Sequence, residues 1–393
     1  MSDEIPFHVQ EQIIKRLPVV SLLQFRSVSK AWKSLIDSSK FIAAHSVTQS
    51  QHLLLRYEDQ EFDTVGNYVS LLDDDTFPEQ RFVHTLPHSI TQLKQSNIVG
   101  SSLGLLCFHG YNELGEDFCP KMETETIVLW NPSIRKSITV PMPNKFNLDP
   151  ETDLGFGVSP VTSDPTIVEI SQFHKTSYHC EAKVYTVSSG KWRNLSSNVP
   201  RKPFRVFWPQ VVVDRFIYWC AFDPLTMDNG LPNHNVIMSF DIINESFGVV
   251  ELPDSLRRIS PTQLCISKVR DSIVMLEYDS FVKRACGVWM MENGVEKSFT
   301  KRFTVEAPPY WSKSITTLGF RKSGQPIMEV EIAHDFYEQS QLVVYEPNFE
   351  RFNYIEIYGK PETFSVHSFM ETLVLIGSIE VEDDGHIATC SLE

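Results

Sequence analysis

No stretch of the 393 residues approaches twenty consecutive uncharged apolar residues. The most apolar window, 206–222, is broken by Gln210, Asp214 and Arg215, which excludes a membrane-spanning helix there. The opening Met-Ser-Asp-Glu-Ile-Pro lacks the basic flank and apolar centre of a secretory signal. Cysteine is sparse and falls into no metal or redox pattern. The seven are Cys107, Cys119, Cys180, Cys220, Cys265, Cys286 and Cys390, an odd number with no C-x-x-C pair. Several sit in apolar runs, where a thiol behaves as a small core hydrophobe. A soluble intracellular protein of the cytoplasm or nucleus is expected, without disulfide framework, metal site or cofactor. Glycine (17) and proline (23) are too few for a collagen-like or low-complexity chain.

Charge is distributed unevenly. Residues 1–44 hold six Lys/Arg against four Asp/Glu; the chain's net −15 therefore leaves −17 on the remainder. A body so acidic repels phosphate backbones, so neither nucleic acid nor a membrane is an expected partner.

Three local signals point to chemistry and fail on context. Gly100-Ser-Ser-Leu-Gly104 fits G-x-S-x-G, but Leu-Leu-Cys-Phe follows it, which reads as a strand where a nucleophile elbow needs a helix. His84 and His88 flank Pro87 and turn residues, and His174, His179 and Cys180 border a loop without a carboxylate at ligand spacing. Asn194-Leu-Ser and Asn244-Glu-Ser are glycosylation patterns that have no use without secretion.

Residues 5–44 read as helical. Val9, Ile13, Ile14 and Leu17 share one helix face, Pro6 suits a first turn and Pro18 stops the run. Leu22, Phe25, Val28, Trp32, Leu35 and Ile36 continue the period, with Ser21 as the expected N-cap, giving two or three short helices. About forty residues rarely suffice for an independent core, so the surplus apolar surface is expected to dock, either on the chain's own body or on another protein.

The motifs Ile5-Pro6, Ile13-Ile14, Leu17-Pro18-Val19, Ser21-Leu22-Leu23, Phe25-Arg26, Val28-Ser29-Lys30, Trp32, Leu35-Ile36 and Phe41-Ile42 resemble an F-box of the plant type. Ile5 replaces the usual Leu, His8 stands where an acid is common, and Val20 replaces a usual Lys. The resemblance implies docking onto a Skp-type adaptor tethered to a cullin scaffold. The residues expected to make that contact are Ile5, Pro6, Ile14, Leu17, Pro18, Leu22, Leu23, Val28 and Trp32.

From residue 50 the pattern is β and repeats. Apolar runs ending in Trp130, Tyr185, Phe240, Trp289 and Tyr345 recur at spacings of 55, 55, 49 and 56, each followed by a polar turn, with a fainter copy at Tyr68. A second set of runs lies between them, at Leu105, Ile167, Phe216, Ile273, Ile327 and Leu373. About fifty residues and four strands per repeat describe a propeller blade. The expected fold is α+β in two domains: a helical unit at 1–45 and an all-β propeller at 50–393. Six blades are expected, with a seventh if the terminal hairpin 379–390 completes one. Closure is expected between strands near 363–377 and Leu53-Leu-Leu-Arg-Tyr57.

Gly100-Ser-Ser-Leu-Gly-Leu-Leu-Cys107, Leu129-Trp-Asn-Pro-Ser133, Phe216-Ile-Tyr-Trp219, Ser239-Phe-Asp241 and Val344-Tyr-Glu-Pro347 resemble the plant F-box-associated interaction domain, though the Gly-Gly pairs of kelch repeats are missing.

With antiparallel strands, tight turns (Ser101-Ser102, Asp214-Arg215, Arg270-Asp271, Ser189-Gly190, Asn293-Gly294) fall on one face of the ring, and long loops at 109–125, 141–153, 223–235, 306–313 and 333–340 on the other. Long loops on a rigid frame are where recognition resides, so Tyr111, Asp117, Phe118, Tyr310, Trp311, Phe336 and Tyr337 are expected to touch a target protein. The sequence thus reads as the non-catalytic substrate receptor of a Skp-cullin-F-box (SCF) ubiquitin ligase. Two alternatives remain: a propeller enzyme acting on glycans or small molecules, and an F-box protein working outside a cullin complex.

Overall fold

The computed structural model describes residues 5–59, 66–113, 123–143, 151–173, 179–195, 204–224, 227–228, 231–232, 234–280, 282–292, 298–308, 312–333 and 338–375. The chain opens with four short helices, α1 (Phe7–Ile14), α2 (Val19–Phe25), α3 (Lys30–Ile36) and α4 (Ser39–Ser46). Pro6 and Pro18 are the N-caps of α1 and α2, so the first departs from its expected place inside the turn and the second displaces Ser21. The apolar period from Leu22 to Ile36 is split in two. Ser29 leaves helical geometry and its side chain accepts a hydrogen bond from Trp32 N, which starts α3 afresh. Arg26 holds Asp37 with two hydrogen bonds of 2.6 and 2.9 Å, fastening the end of α2 to the end of α3.

Six four-stranded antiparallel sheets follow, forming a six-bladed propeller. Counted outward from the channel, blade 2 runs Lys94–Ser102, Leu105–Glu113, Glu123–Asn131 and Lys136–Pro141. Blade 3 begins at Glu151–Val158, blade 4 at Arg205–Val213, blade 5 at Leu264–Val269 and blade 6 at Ser312–Phe320. Blade 1 is composite: its innermost strand, Ser365–Met370, comes from the far end of the chain and pairs with Gln51–Tyr57, in register Leu54 with His367. Asp73 and Arg321 reinforce this seam, with Arg321 Nε donating to Asp73 Oδ1 at 3.0 Å and Lys322 N to Oδ2 at 2.7 Å.

The second strand of each blade is buried on both sides, and this explains its unbroken apolar sequence. Leu53 and Leu55 pack toward blade 6, while Leu54 between them packs toward blade 2. Val274 and Leu276 join blade 6, whereas Ile273 and Met275 join blade 4. Each blade-to-blade contact has its own apolar cluster, and the one between blades 2 and 3 is continuous with the helices.

Two further expectations are corrected. The turn in the Gly100–Gly104 motif lies at Leu103-Gly104, with φ of 42° and 78°, because only there does the backbone enter the left-handed region that a tight hairpin needs. The described part of the Leu373 run forms no strand: Gln51–Tyr57 already occupies the second position of blade 1, and Leu373, Val374 and Leu375 instead pack under the helices. The hairpin expected at 379–390 lies outside the described residues.

Candidate functional site

Strand direction gives the ring two unlike faces. The links between first and second strands, and between third and fourth, share one face, and the helical unit sits there. Leu103, Ile134 and Val187 from these links pack against the cluster containing Ile14, Val19, Leu22, Ile36, Phe41 and Ile42. Leu373–Leu375 lies in the same cluster. Asn131 Nδ2 donates to the carbonyls of Thr372 and Val374 at 3.0 and 2.8 Å, and Ser46 Oγ meets Thr372 Oγ1 at 3.0 Å. Gly104 is required under this segment, since a Cβ there would lie 2.3 Å from Met370 O. His45, fully buried, contacts Leu17 O at 2.8 Å and closes the helical unit from within.

The docked unit keeps a second apolar surface in solvent. Ile5, Phe7, Val9, Ile13, Val20 and Val28 are all exposed, Ile13 by 49% and Val28 by 62%. Of the residues expected to touch an adaptor, Ile5, Pro6, Pro18 and Val28 are exposed, and Leu17, Leu23 and Trp32 are half-buried. Ile14 and Leu22 are inside, at 2% and 0% exposure, where they join the helices to the ring and offer no surface to an outside protein. Trp32 lies edge-on to Phe25 and donates from Nε1 to Gln10 at 2.9 Å. Arg26, Lys30 and Lys33 border the depression that contains Leu23 and Val28.

The opposite face carries the long links. Beside the channel mouth, blades 2, 3 and 4 enclose a cleft of about 370 Å³ whose lining includes His109, Tyr111, Glu125, Asp153 and Trp208. The His109 and Tyr111 rings meet edge-on at 5.8 Å, and His109 Nε2 lies 3.9 Å from Glu125. Trp208 is 53% exposed. The register of its strand slips between Phe207 and Gln210, a bulge that lifts Trp208 out of the alternation and aims it at the mouth. Gln210 anchors the other side of the bulge, accepting from Phe156 N and donating to Phe156 O, both at 2.7 Å.

Tyr111 is therefore at this cleft. Asp117, Phe118, Tyr310, Trp311, Phe336 and Tyr337 lie outside the described residues. Sequence reasoning overlooked Trp208 and His109; the signal for the first was Pro209, a proline inside an otherwise regular strand run. Ser101 and Ser102 are structural: Ser101 Oγ donates to Ser368 O at 2.8 Å, and Ser102 Oγ accepts from Val158 N at 2.9 Å. Among the described residues no group of three His, Cys, Asp or Glu is placed to hold a metal, and no helix is long and apolar enough to cross a membrane.

Comparison with known families matches both parts of this architecture. An F-box domain model covers residues 3–43, and a model of the F-box associated beta propeller domain covers 53–375. The chain belongs to the F-box associated β-propeller family. F-box protein CPR1 of Arabidopsis thaliana is 23% identical over 397 residues, a match covering 94% of this chain and 89% of that protein. Two further F-box proteins of that plant, At1g47790 and At3g52320, are 24% and 27% identical, and the match spans 60% of their length and 64% of this chain. Among solved structures, the periplasmic gluconolactonase PpgL of Pseudomonas aeruginosa is similar at 10% identity and TM-score 0.38, over 81% of this chain and 98% of that one. That likeness is too loose to bear on what this F-box protein does.

Proposed function

We propose that this F-box protein is the target-recognition subunit of an SCF ubiquitin ligase, with residues 1–45 engaging a Skp-type adaptor and residues 50–393 holding the target. One observation carries the reading: after the helices have docked on the ring, Ile5, Phe7, Ile13, Val20 and Val28 still stand in water. Large apolar side chains gain roughly 1.5–3 kcal/mol each on full burial, so several left exposed on one small helical unit favour a partner that covers them. The basic border of Arg26, Lys30 and Lys33 suits a partner with an acidic rim.

The mechanism is positional. The adaptor bridges this chain to a cullin and its loaded conjugating enzyme, while the loop face holds the target. Transfer is accelerated by raised local concentration, without a catalytic group in this chain. Tyr111 and Trp208 line a cleft on the face away from the helices, which supports separate places for adaptor and target. The target surface comprises Tyr111 and Trp208 together with Asp117, Phe118, Tyr310, Trp311, Phe336 and Tyr337.

Co-purification with a Skp-type adaptor and cullin tests the reading. Ile13→Asp and Val28→Asp should abolish adaptor capture while leaving the unfolding midpoint unchanged. Adaptor capture retained by the folded double variant refutes it; adaptor capture without cullin places the protein outside a ligase.

A further inference from the structure

The cleft on the loop face contains an unanswered polar atom. His109 has a buried Nε2 with no hydrogen-bond partner among the described residues. Glu125 does not supply one, because its nearer oxygen stands 3.9 Å away, beyond hydrogen-bond length. A buried nitrogen left in this state calls for an explanation of its own.

Strand register brings the two groups together. Tyr111 and Glu125 are directly paired across the second and third strands of blade 2, and His109 lies two residues from Tyr111. Cys107, Ile127 and Leu129 of the same strands face blade 3. The alternation of side chains therefore puts His109, Tyr111 and Glu125 on that one face. A nitrogen at roughly 2.9 Å from both His109 Nε2 and Glu125 fits the gap between them. Two acceptors so placed select a donor with two protons on one nitrogen.

Charge decides what kind of donor. The lining contains the carboxylates Glu125 and Asp153 and, among the described residues, no lysine or arginine. A carboxylate has about four lone-pair sites, so contacts Glu125 makes elsewhere leave room for a further donor. Asp153 shares the face of Gly155, which is turned to Trp219 and Gln210 of blade 4, and it accepts from Gln172 at 3.1 Å. It adds to the field in the cleft without reaching the same nitrogen. The chain's net charge of −15 acts in the same sense. The floor is preformed: Trp219 is 1% exposed and donates from Nε1 to Leu154 O at 3.2 Å. A Cβ on Gly155 would lie 2.2 Å from its ring, so only glycine lets Trp219 close the cleft.

We propose that the cleft receives a lysine or arginine side chain of the target, one cationic nitrogen bridging Nε2 of neutral His109 and the Glu125 carboxylate. The stem of that side chain crosses Tyr111 and Trp208, whose ring faces favour a cation. This deepens the target reading above and rests on it.

Nitrogen NMR of the full chain tests the site, with the capped tripeptides Gly-Lys-Gly and Gly-Arg-Gly as probes and Gly-Gln-Gly as the uncharged control. At least one cationic peptide should shift the His109 ring saturably, and the control should not; the tighter of the two tells ammonium from guanidinium. Glu125→Gln should weaken binding about tenfold or more, the effect of losing one charge-assisted hydrogen bond. A His109 ring unmoved by either peptide up to about 10 mM overturns the proposal, as does unchanged affinity in folded Glu125→Gln. Should that variant unfold, magnetisation transfer in the wild type decides: transfer from the peptide's side-chain methylenes to the His109 and Tyr111 rings supports the site, and its absence refutes it. Neither adaptor nor target enters this titration. An empty cleft therefore leaves the ligase reading standing, and failed adaptor capture refutes that reading whatever the cleft binds.

Discussion

Ser46 and Thr372, 326 positions apart in the chain, meet hydroxyl to hydroxyl at 3.0 Å in a buried contact. Ser46 ends α4, and Thr372 follows the strand that closes the ring. Helical unit and propeller are thereby joined through the latest-made part of the fold. Thr372→Val removes the contact at nearly constant volume and should cost about 1 kcal/mol, the net worth of one hydrogen bond. Denaturant unfolding checks the loss, and proteolysis at residues 47–50 should accelerate while adaptor capture persists.

The seam between blades 6 and 1 depends on a fully buried carboxylate. Asp73 has no exposure and takes hydrogen bonds from Arg321 and Lys322 N. Asp73→Asn should destabilise the chain by about 3 kcal/mol or more, because breaking a buried pair leaves the other charge uncompensated. Replacing Asp73 and Arg321 together by apolar residues should cost less than the single change; a double-mutant cycle in urea measures the difference.

Trp208 and Gln210 sit on either side of one bulge and should separate recognition from stability. Trp208→Ala should leave the unfolding midpoint nearly unmoved and reduce target capture strongly, as exposed aromatic anchors do at interfaces. Gln210→Ala orphans Phe156 N and O and should cost about 2–3 kcal/mol. Parallel melting and affinity-capture experiments distinguish the two outcomes.

Acid should act through His367. Its ring titrates near 4 in the folded protein against 6.5 ordinarily, because burial disfavours the charged form. The unfolded chain thus binds more protons between these values, and stability present at neutral pH is lost as pH falls through that window. Glu329 opposes this: burial raises its pKa, so its share of stability falls as pH rises above its ordinary 4.5. The drop in unfolding free energy from about pH 7 to about pH 5 should be smaller in His367→Gln than in the wild type.

The propeller was legible because both sides of each second strand are covered, which writes continuous apolar runs into the sequence. The anchors Trp130, Tyr185, Phe240, Trp289 and Tyr345 all fall in third strands. Composition could not say where the Leu373 run goes, since its destination depends on Gln51–Tyr57 having taken the neighbouring place. Trp208 was hidden for a related reason: its exposure arises from a register slip against Phe216–Phe222, a property of the pairing and not of the strand alone. Ile14 and Leu22 match the adaptor-binding pattern of sequence yet lie inside, because a helix too short to have its own core spends one face on the ring.

Putting the first blade's innermost strand at 365–370 has a consequence during synthesis. A ribosome releases the helices first, yet the shelf beneath them, Leu373–Leu375, emerges after every blade. A truncated chain would therefore carry loose helices and an unzipped ring, and only a finished molecule would present the two at a fixed bearing. Any chain cut before residue 365 would lose the closing strand and the support under the helices together.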